Sequence, residues 1–262
     1  MKNVVLLLVV ILLLSLTAIA YAEEGWKEGP TPPNMPPGWR EKISKPTPNY
    51  EVAPPKEFDD FNKKAVRKFK VKAERMGRSK MIQLSEGLTK PYNGRPEEAV
   101  AKFLKENHKL LYLSADLSEM KIERLDRLGR GTTILYKQYY KGVPFEYGCG
   151  HVDIDDDGKI FDVGFGIEDI GADFSVEPVI KTEELFNTLK ATSPEYTSKI
   201  NPDDGKPLPP VLFIYVIYPD DTPVLAYKVS MLKGGDPEEW WSLVIDSSTG
   251  KILREFCYKP IE

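Results

Sequence analysis

Apolar and polar positions alternate with a period near two over several stretches of the C-terminal two thirds of the chain. The clearest is Ile160 to Ile167, where Phe161, Val163, Phe165 and Ile167 fall on one side and Asp162, Gly164 and Gly166 on the other. That pattern predicts a half-buried antiparallel strand. Tyr147 to Asp155 repeats it, with Val152 and Ile154 on one face, and Thr132 to Tyr140 reads as their partner. Lys80 to Leu84 is a short strand ahead of them. A helical period intervenes: Pro96 at a first helical position, Glu97 and Glu98 in the first turn, then a stripe of Ala99, Val100, Phe103, Leu104 and Leu111. The same order then recurs. Thr182 is placed to cap a helix running to Lys190, with Leu185, Phe186 and Leu189 apolar. Strands follow at Val211 to Tyr218, Leu225 to Met231, Trp240 to Asp246 and Lys251 to Tyr258. Helix plus antiparallel sheet, twice over, predicts an α+β protein.

Each block carries an alternating strand, an Asp-rich turn closed by Gly-Lys, and a second strand. One copy runs from His151 to Ile160 through Asp155-Asp156-Asp157-Gly158-Lys159, the other from Ser242 to Ile252 through Asp246 and Gly250-Lys251. Upstream, Phe58 to Met76 predicts a helix, with Phe61, Ala65, Phe69 and Met76 on one face and seven Lys or Arg residues on the other. Such a face suits an anionic membrane or acidic partner, and equally a solvated surface. Residues 23–55 hold nine of the 22 prolines, together with Trp26 and Trp39, and read as an extended linker. Residues 1–22 read as an export signal: Lys2, an apolar run from Val4 to Leu16, and the small-x-small site Ala20-Tyr21-Ala22. An uncleaved membrane anchor is the other reading of that run. The expected organisation is therefore signal 1–22, linker 23–55, basic helix 56–76, first domain 77–171 and second domain 172–262.

A formal charge of −4 argues against a general nucleic-acid binder. Export makes a disulfide between the two cysteines, Cys149 and Cys257, permissible; closing so long a loop would stabilise by about 4–5 kcal/mol. Two separate thiols is the alternative. Asp153-x-Asp155-x-Asp157-Gly158 opens like a calcium loop, but its twelfth position is Gly164 where a bidentate Glu is wanted, so a hairpin turn is the better reading. Cys149 and His151 lie two apart on a strand, sharing a face at about 6–7 Å, too far for a nucleophile and its base. No cofactor or metal is expected.

The chain resembles the pro-region of thermolysin-like zinc metallopeptidases. Glu86-Gly87-Leu88-Thr89, Pro96-Glu97-Glu98-Ala99 leading to Phe103-Leu104, Tyr139-Tyr140-Lys141-Gly142-Val143-Pro144 and the Asp-Gly-Lys hairpin resemble the fungalysin/thermolysin propeptide (FTP) domain. Leu225-Ala226-Tyr227-Lys228-Val229, Trp241 to Asp246 and Thr249-Gly250-Lys251-Ile252-Leu253 resemble a PepSY domain. The resemblance spans about residues 77–258 and implies two tandem cystatin-like units that assist folding of an attached peptidase and hold it inactive. Here the catalytic signature is missing: the only histidines are His108 and His151, so the zinc helix His-Glu-x-x-His cannot be built from this chain.

What this implies is an exported, non-enzymatic protein, secreted or in the cell envelope. It would act in trans as inhibitor or folding helper of a secreted metallopeptidase. The expected contact surface is the exposed face of the first sheet, with the loop Lys141, Gly142, Val143 and Pro144 and the acidic turn Asp155, Asp156 and Asp157. The alternative is a stand-alone extracellular or envelope module that binds peptide or protein outside any proteolytic context, with the apolar N-terminal run as a membrane tether.

Overall fold

The computed structural model describes residues 50–198, 207–217, 222–233 and 240–258. The expected signal, most of the linker, Trp26 and Trp39 lie outside these residues. Residues 47–262 form one compact unit. Its elements are β1 (Tyr50–Glu51), α1 (Glu57–Lys64), β2 (Lys70–Met76), β3 (Ser79–Ser85), α2 (Pro96–Glu106), β4 (Met120–Leu128), β5 (Gly131–Tyr140), β6 (Val143–Asp155), β7 (Ile160–Ile167), α3 (Thr182–Thr192), β8 (Tyr196–Ser198), β9 (Val211–Ile217), β10 (Thr222–Lys233), β11 (Trp240–Asp246) and β12 (Ile252–Tyr258). The fold is α+β and mostly sheet.

Two antiparallel arrays make up the sheet. The first runs β1-β2-β3-β7-β6-β5-β4. In the second, β9 and β8 pair successive parts of one edge of β10, and β11 and β12 follow on the other. A single parallel bridge, Phe145 to Ile214, joins the start of β6 to β9.

Helix α2 begins where the sequence puts it. Pro96 takes the first helical position, and Glu98 reaches back to accept from the Arg95 N–H at 3.2 Å. Its stripe of Ala99, Val100, Phe103 and Leu104 is fully buried on Ile82 and Leu84 of β3, Ile134 and Tyr136 of β5, Val152 and Ile154 of β6, and Val163 and Phe165 of β7. Each large side chain so buried contributes about 1.5–3 kcal/mol. On the second array, α3 presents Leu185 and Leu189, one turn apart, to Tyr227, Val229, Met231, Leu243 and Ile245. Thr182 does not cap this helix; Lys181 holds the N-cap position and makes no side-chain cap bond. A small third cluster of Phe145, Ile170, Ile214 and Leu225 lies where the arrays meet.

The long basic helix expected over 56–76 does not form. α1 stops at Lys64, and Ala65 turns extended at φ −67°, ψ 148°. The Asn62 amide then pairs with the Phe69 backbone: its Oδ1 accepts from the Phe69 N–H at 2.7 Å and its Nδ2 donates to the Phe69 carbonyl at 3.1 Å. Beyond Phe69 the period is two, not 3.6, with Ala73 buried and Val71 half-buried. β2 pairs with β3 from Lys70·Ser85 to Met76·Ser79, around the two-residue loop Gly77-Arg78. Phe61 and Phe69 do meet, at a centroid separation of 5.3 Å, but a turn of the chain brings them together. The basic residues are dispersed: Lys63 pairs with Asp60, Lys70 with Glu86 and Lys72 with Glu74. No uniform cationic face remains.

Of three register shifts in the first sheet, two reposition apolar side chains. At one, Asp153 opposes Asp162 while Ile154 opposes Ile160. Phe161 is the extra residue, so it is 37% exposed and does not join Val163, Phe165 and Ile167 in the core. The other lies between Ile122 and Arg124 of β4, a strand the sequence reading does not anticipate.

Candidate interaction surface

Among the described residues, the side of the first sheet opposite α2 carries no helix. Cross-strand register sets its rows. Gln83, Gly164, His151 and Leu135 lie side by side on β3, β7, β6 and β5; Met81, Gly166, Cys149 and Lys137 form the next row. Their sequence neighbours Ile82, Phe165, Val152 and Ile134 face the core. The glycines matter because the His151 ring lies across Gly164: a Cβ there would come within 2.5 Å of the His151 Cε1. The His151 Nε2 is 2.8 Å from Asp162 Oδ1, and this hydrogen bond raises the imidazole pKa above its ordinary value. The Asp153 Oδ1 is buried without a hydrogen-bond partner, and desolvation raises that carboxyl. Burial likewise raises the Cys149 thiol, which disfavours the nucleophilic thiolate. Cys149 and His151 are two apart on β6, about 6–7 Å along the strand, beyond the reach of a nucleophile–base hydrogen bond. This face can present a shallow, mixed polar and apolar surface to another molecule.

The expected contact residues are not brought together. Lys141 and Gly142, at φ 47° and 86°, make the two-residue loop between β5 and β6. There the Lys141 Nζ donates to the carbonyls of Ala172 at 3.3 Å and Phe174 at 3.2 Å. Val143 packs against the junction cluster, and Pro144 pairs with Tyr139. Asp155, Asp156 and Asp157 lie at the far end of β6; Val143 and Asp155 pair with Tyr140 and Gly131 of β5, a span of about 30 Å along that strand. The Asp155 Oδ1 accepts from the N–H groups of Asp157 and Lys159, Asp156 pairs with Arg127, and Asp157 pairs with Lys159. These carboxylates hold a hairpin turn, with Gly158 at φ 79°. Among the described residues no three His, Cys, Asp or Glu side chains cluster as metal ligands.

No disulfide joins Cys149 to Cys257. Both are exposed, on β6 and β12, with β9, β10 and β11 between them in strand order. Strands spaced about 4.8 Å apart put that separation beyond the ~7 Å Cα reach of a disulfide. Polar contacts also cross the junction: Lys228 pairs with Glu146 at 2.9 Å, and Arg254 donates to the Tyr147 hydroxyl at 2.6 Å. Burial pushes the Tyr147 phenol up to about 12.

A groove of about 750 Å³, which sequence reasoning missed, lies on the helix side. Phe61 and Ala65 beside α1, Pro91, Tyr92 and Leu110 supply its apolar lining, and Lys64, Lys90, Lys102 and Lys109 stand among its walls. The Tyr92 hydroxyl donates to Glu106 at 3.1 Å. Its walls come from segments up to 50 residues apart, so no local motif announces it. Among the described residues no helix is long and apolar enough to cross a membrane.

A family profile described as "Peptidase propeptide and YPEB domain" (PepSY) matches residues 210–256, which cover β9 to most of β12. Among solved structures, the YpeB C-terminal domain of Bacillus megaterium aligns over 81% of this chain and 90% of its own, at 13% identity and a TM-score of 0.35. No curated protein sequence matches the chain.

Proposed function

We propose that this chain is an exported, non-catalytic, propeptide-like protein that binds a secreted thermolysin-like metallopeptidase in trans, as inhibitor or folding helper. In this reading residues 77–171 are an FTP-like unit and 172–262 a PepSY unit, both cystatin-like. The observation that carries it is the propeptide-family match over 210–256. The arrangement of helix on sheet in both arrays is in keeping with it.

The contact surface we assign keeps the exposed sheet face expected from sequence and leaves out the loop and turn at its ends. Lys141 and Val143 are engaged within the chain, whereas Met81, Gln83 and Cys149 on the helix-free face are exposed. A sheet face of this kind inhibits by covering a substrate cleft. Separation from the peptidase removes the high local concentration of a tethered propeptide, so the interface needs its own affinity.

The test is to titrate the purified chain into a thermolysin-like peptidase of the same source and follow hydrolysis and binding. Saturable inhibition or accelerated refolding, lost on Met81→Arg with Gln83→Arg, is the expected result. Absence of binding to every such peptidase of that source overturns the proposal.

The groove beside α1 favours a second reading, a stand-alone module that binds an extended peptide. Peptide binding abolished by Tyr92→Ala, with no effect of the chain on peptidases, would select it.

A further inference from the structure

We infer that strand β4 is a self-complementary edge through which two copies of the chain pair. Among the described residues β4 pairs with β5 alone, so its outer edge is open. Its apolar residues Ile122 and Leu125 are 43% and 42% exposed. Open edges are normally protected by charge. Here the charges follow an order that admits one partner.

The sequence from Lys121 to Asp126 reads Lys-Ile-Glu-Arg-Leu-Asp. Set antiparallel to itself about a two-fold axis between Glu123 and Arg124, it places Lys121 opposite Asp126, Ile122 opposite Leu125 and Glu123 opposite Arg124, each pair twice. Every charged pair is of opposite sign, and the apolar residues meet each other. A shift of one residue sets Glu123 on Glu123 or Arg124 on Arg124. A shift of two sets Lys121 on Arg124 or Glu123 on Asp126. Like charges directly opposite disfavour all four.

This register also requires opposed residues to share a face of the sheet. In a regular strand Ile122 and Leu125, three apart, would lie on opposite faces. The bulge between Ile122 and Arg124 removes that conflict. Ile122 pairs with Tyr136 and Leu125 with Ile134, both core-facing, while Lys121 and Asp126 lie opposite Lys137 and Thr133 on the other face. The bulge thus aligns the palindrome with the pleat. In one copy Arg124 pairs with Asp126 at 2.8 Å, with Arg124 65% exposed. Such an exposed pair is readily exchanged for partners in the second copy. An interface of one strand per copy is small, so association is weak, on the order of micromolar or weaker.

The test is sedimentation of the full chain from low to high micromolar concentration. A reversible dimer is expected. Lys121→Asp, which opposes Asp to Asp twice, should weaken it at least about tenfold, and adding Asp126→Lys should restore it. Oxidation in a Cys149→Ser, Cys257→Ser background gives a second readout. The pair Ile122→Cys with Leu125→Cys should form disulfide dimers, and neither substitution alone should. Every variant shares the remainder of the chain, so association carried elsewhere does not respond. A monomer at all concentrations, or a dimer indifferent to Lys121→Asp, overturns the inference.

Discussion

Phe145→Ala should uncouple the two halves of residues 47–262. Phe145 is 1% exposed and lies in the four-residue cluster with Ile170, Ile214 and Leu225, apart from both larger cores. A buried aromatic removes about 150–250 Å² from water, and the ring accounts for most of it. At about 25 cal/mol per Å², with a contribution from the cavity left behind, the substitution costs about 3–5 kcal/mol. That loss falls on the junction. The first core keeps all 19 of its buried residues and the second all eight. The expected outcome is therefore not uniform destabilisation but a split transition, the half built on α3 opening first because its core is smaller. Hydrogen exchange read by mass spectrometry across a urea series separates the two: amides of β10 and β11 should lose protection before those of β6 and β7. Loss of protection in both halves together, with a total change below about 1 kcal/mol, would refute the reasoning. Lys228→Met serves as a comparison. It breaks the half-exposed pair with Glu146 and should cost less than about 1 kcal/mol.

Other consequences are more local. Gln138 is 5% exposed, and its amide both donates to and accepts from the backbone of Glu168 at 2.9 Å; Gln138→Ala leaves two buried backbone groups unpaired and should cost about 2–4 kcal/mol, read as a lower urea midpoint. Gly150→Ala would set a Cβ 2.2 Å from the Phe165 ring, itself 3% exposed, for a loss of about 1–3 kcal/mol by thermal melting. The raised pKa of His151 means its stabilising contribution is complete below about 6.5 and is lost as pH rises through the folded value. Unfolding free energy should thus fall by less than about 1 kcal/mol between about pH 6 and 8, the side chain being partly solvated, and Asp162→Asn should flatten that change. Asp153, also raised, acts in the same sense but lower in pH, from below its ordinary carboxyl value upward.

The elements that could be read from the chain are those whose partner faces are set by local alternation. Ile160–Ile167 and Trp240–Asp246 fall where the pattern puts them, and Pro96 with Glu98 marks the start of α2 without ambiguity. Lys70–Met76 was misread because four apolar residues from Phe61 to Met76 fit a helical stripe, and a wheel is indifferent to where the chain bends. The decisive contact is the Asn62 amide with the Phe69 backbone, a tertiary feature without a sequence signature. β4 fails for the opposite reason. Its apolar pair is three apart, a helical interval, and only the bulge returns both to one face of a strand.

The expected loop and turn meet the same limit of locality. Lys141 to Pro144 and Asp155 to Asp157 are 11 to 16 positions apart, which suits a helix pair or a folded loop. On a single strand it becomes the length of β6. Each group had a sound local reading: a positive-φ loop at Lys141-Gly142, an Asx turn at Asp155. Each group first serves its own turn, and the two turns stand at opposite ends of one strand. Gly164 and Gly166 carried the more useful signal. Alternating glycines opposite Val163, Phe165 and Ile167 keep one face of β7 bare while the other is packed, and His151 settles across the gap. A strand that is full on one side and empty on the other marks where a sheet remains open to another molecule.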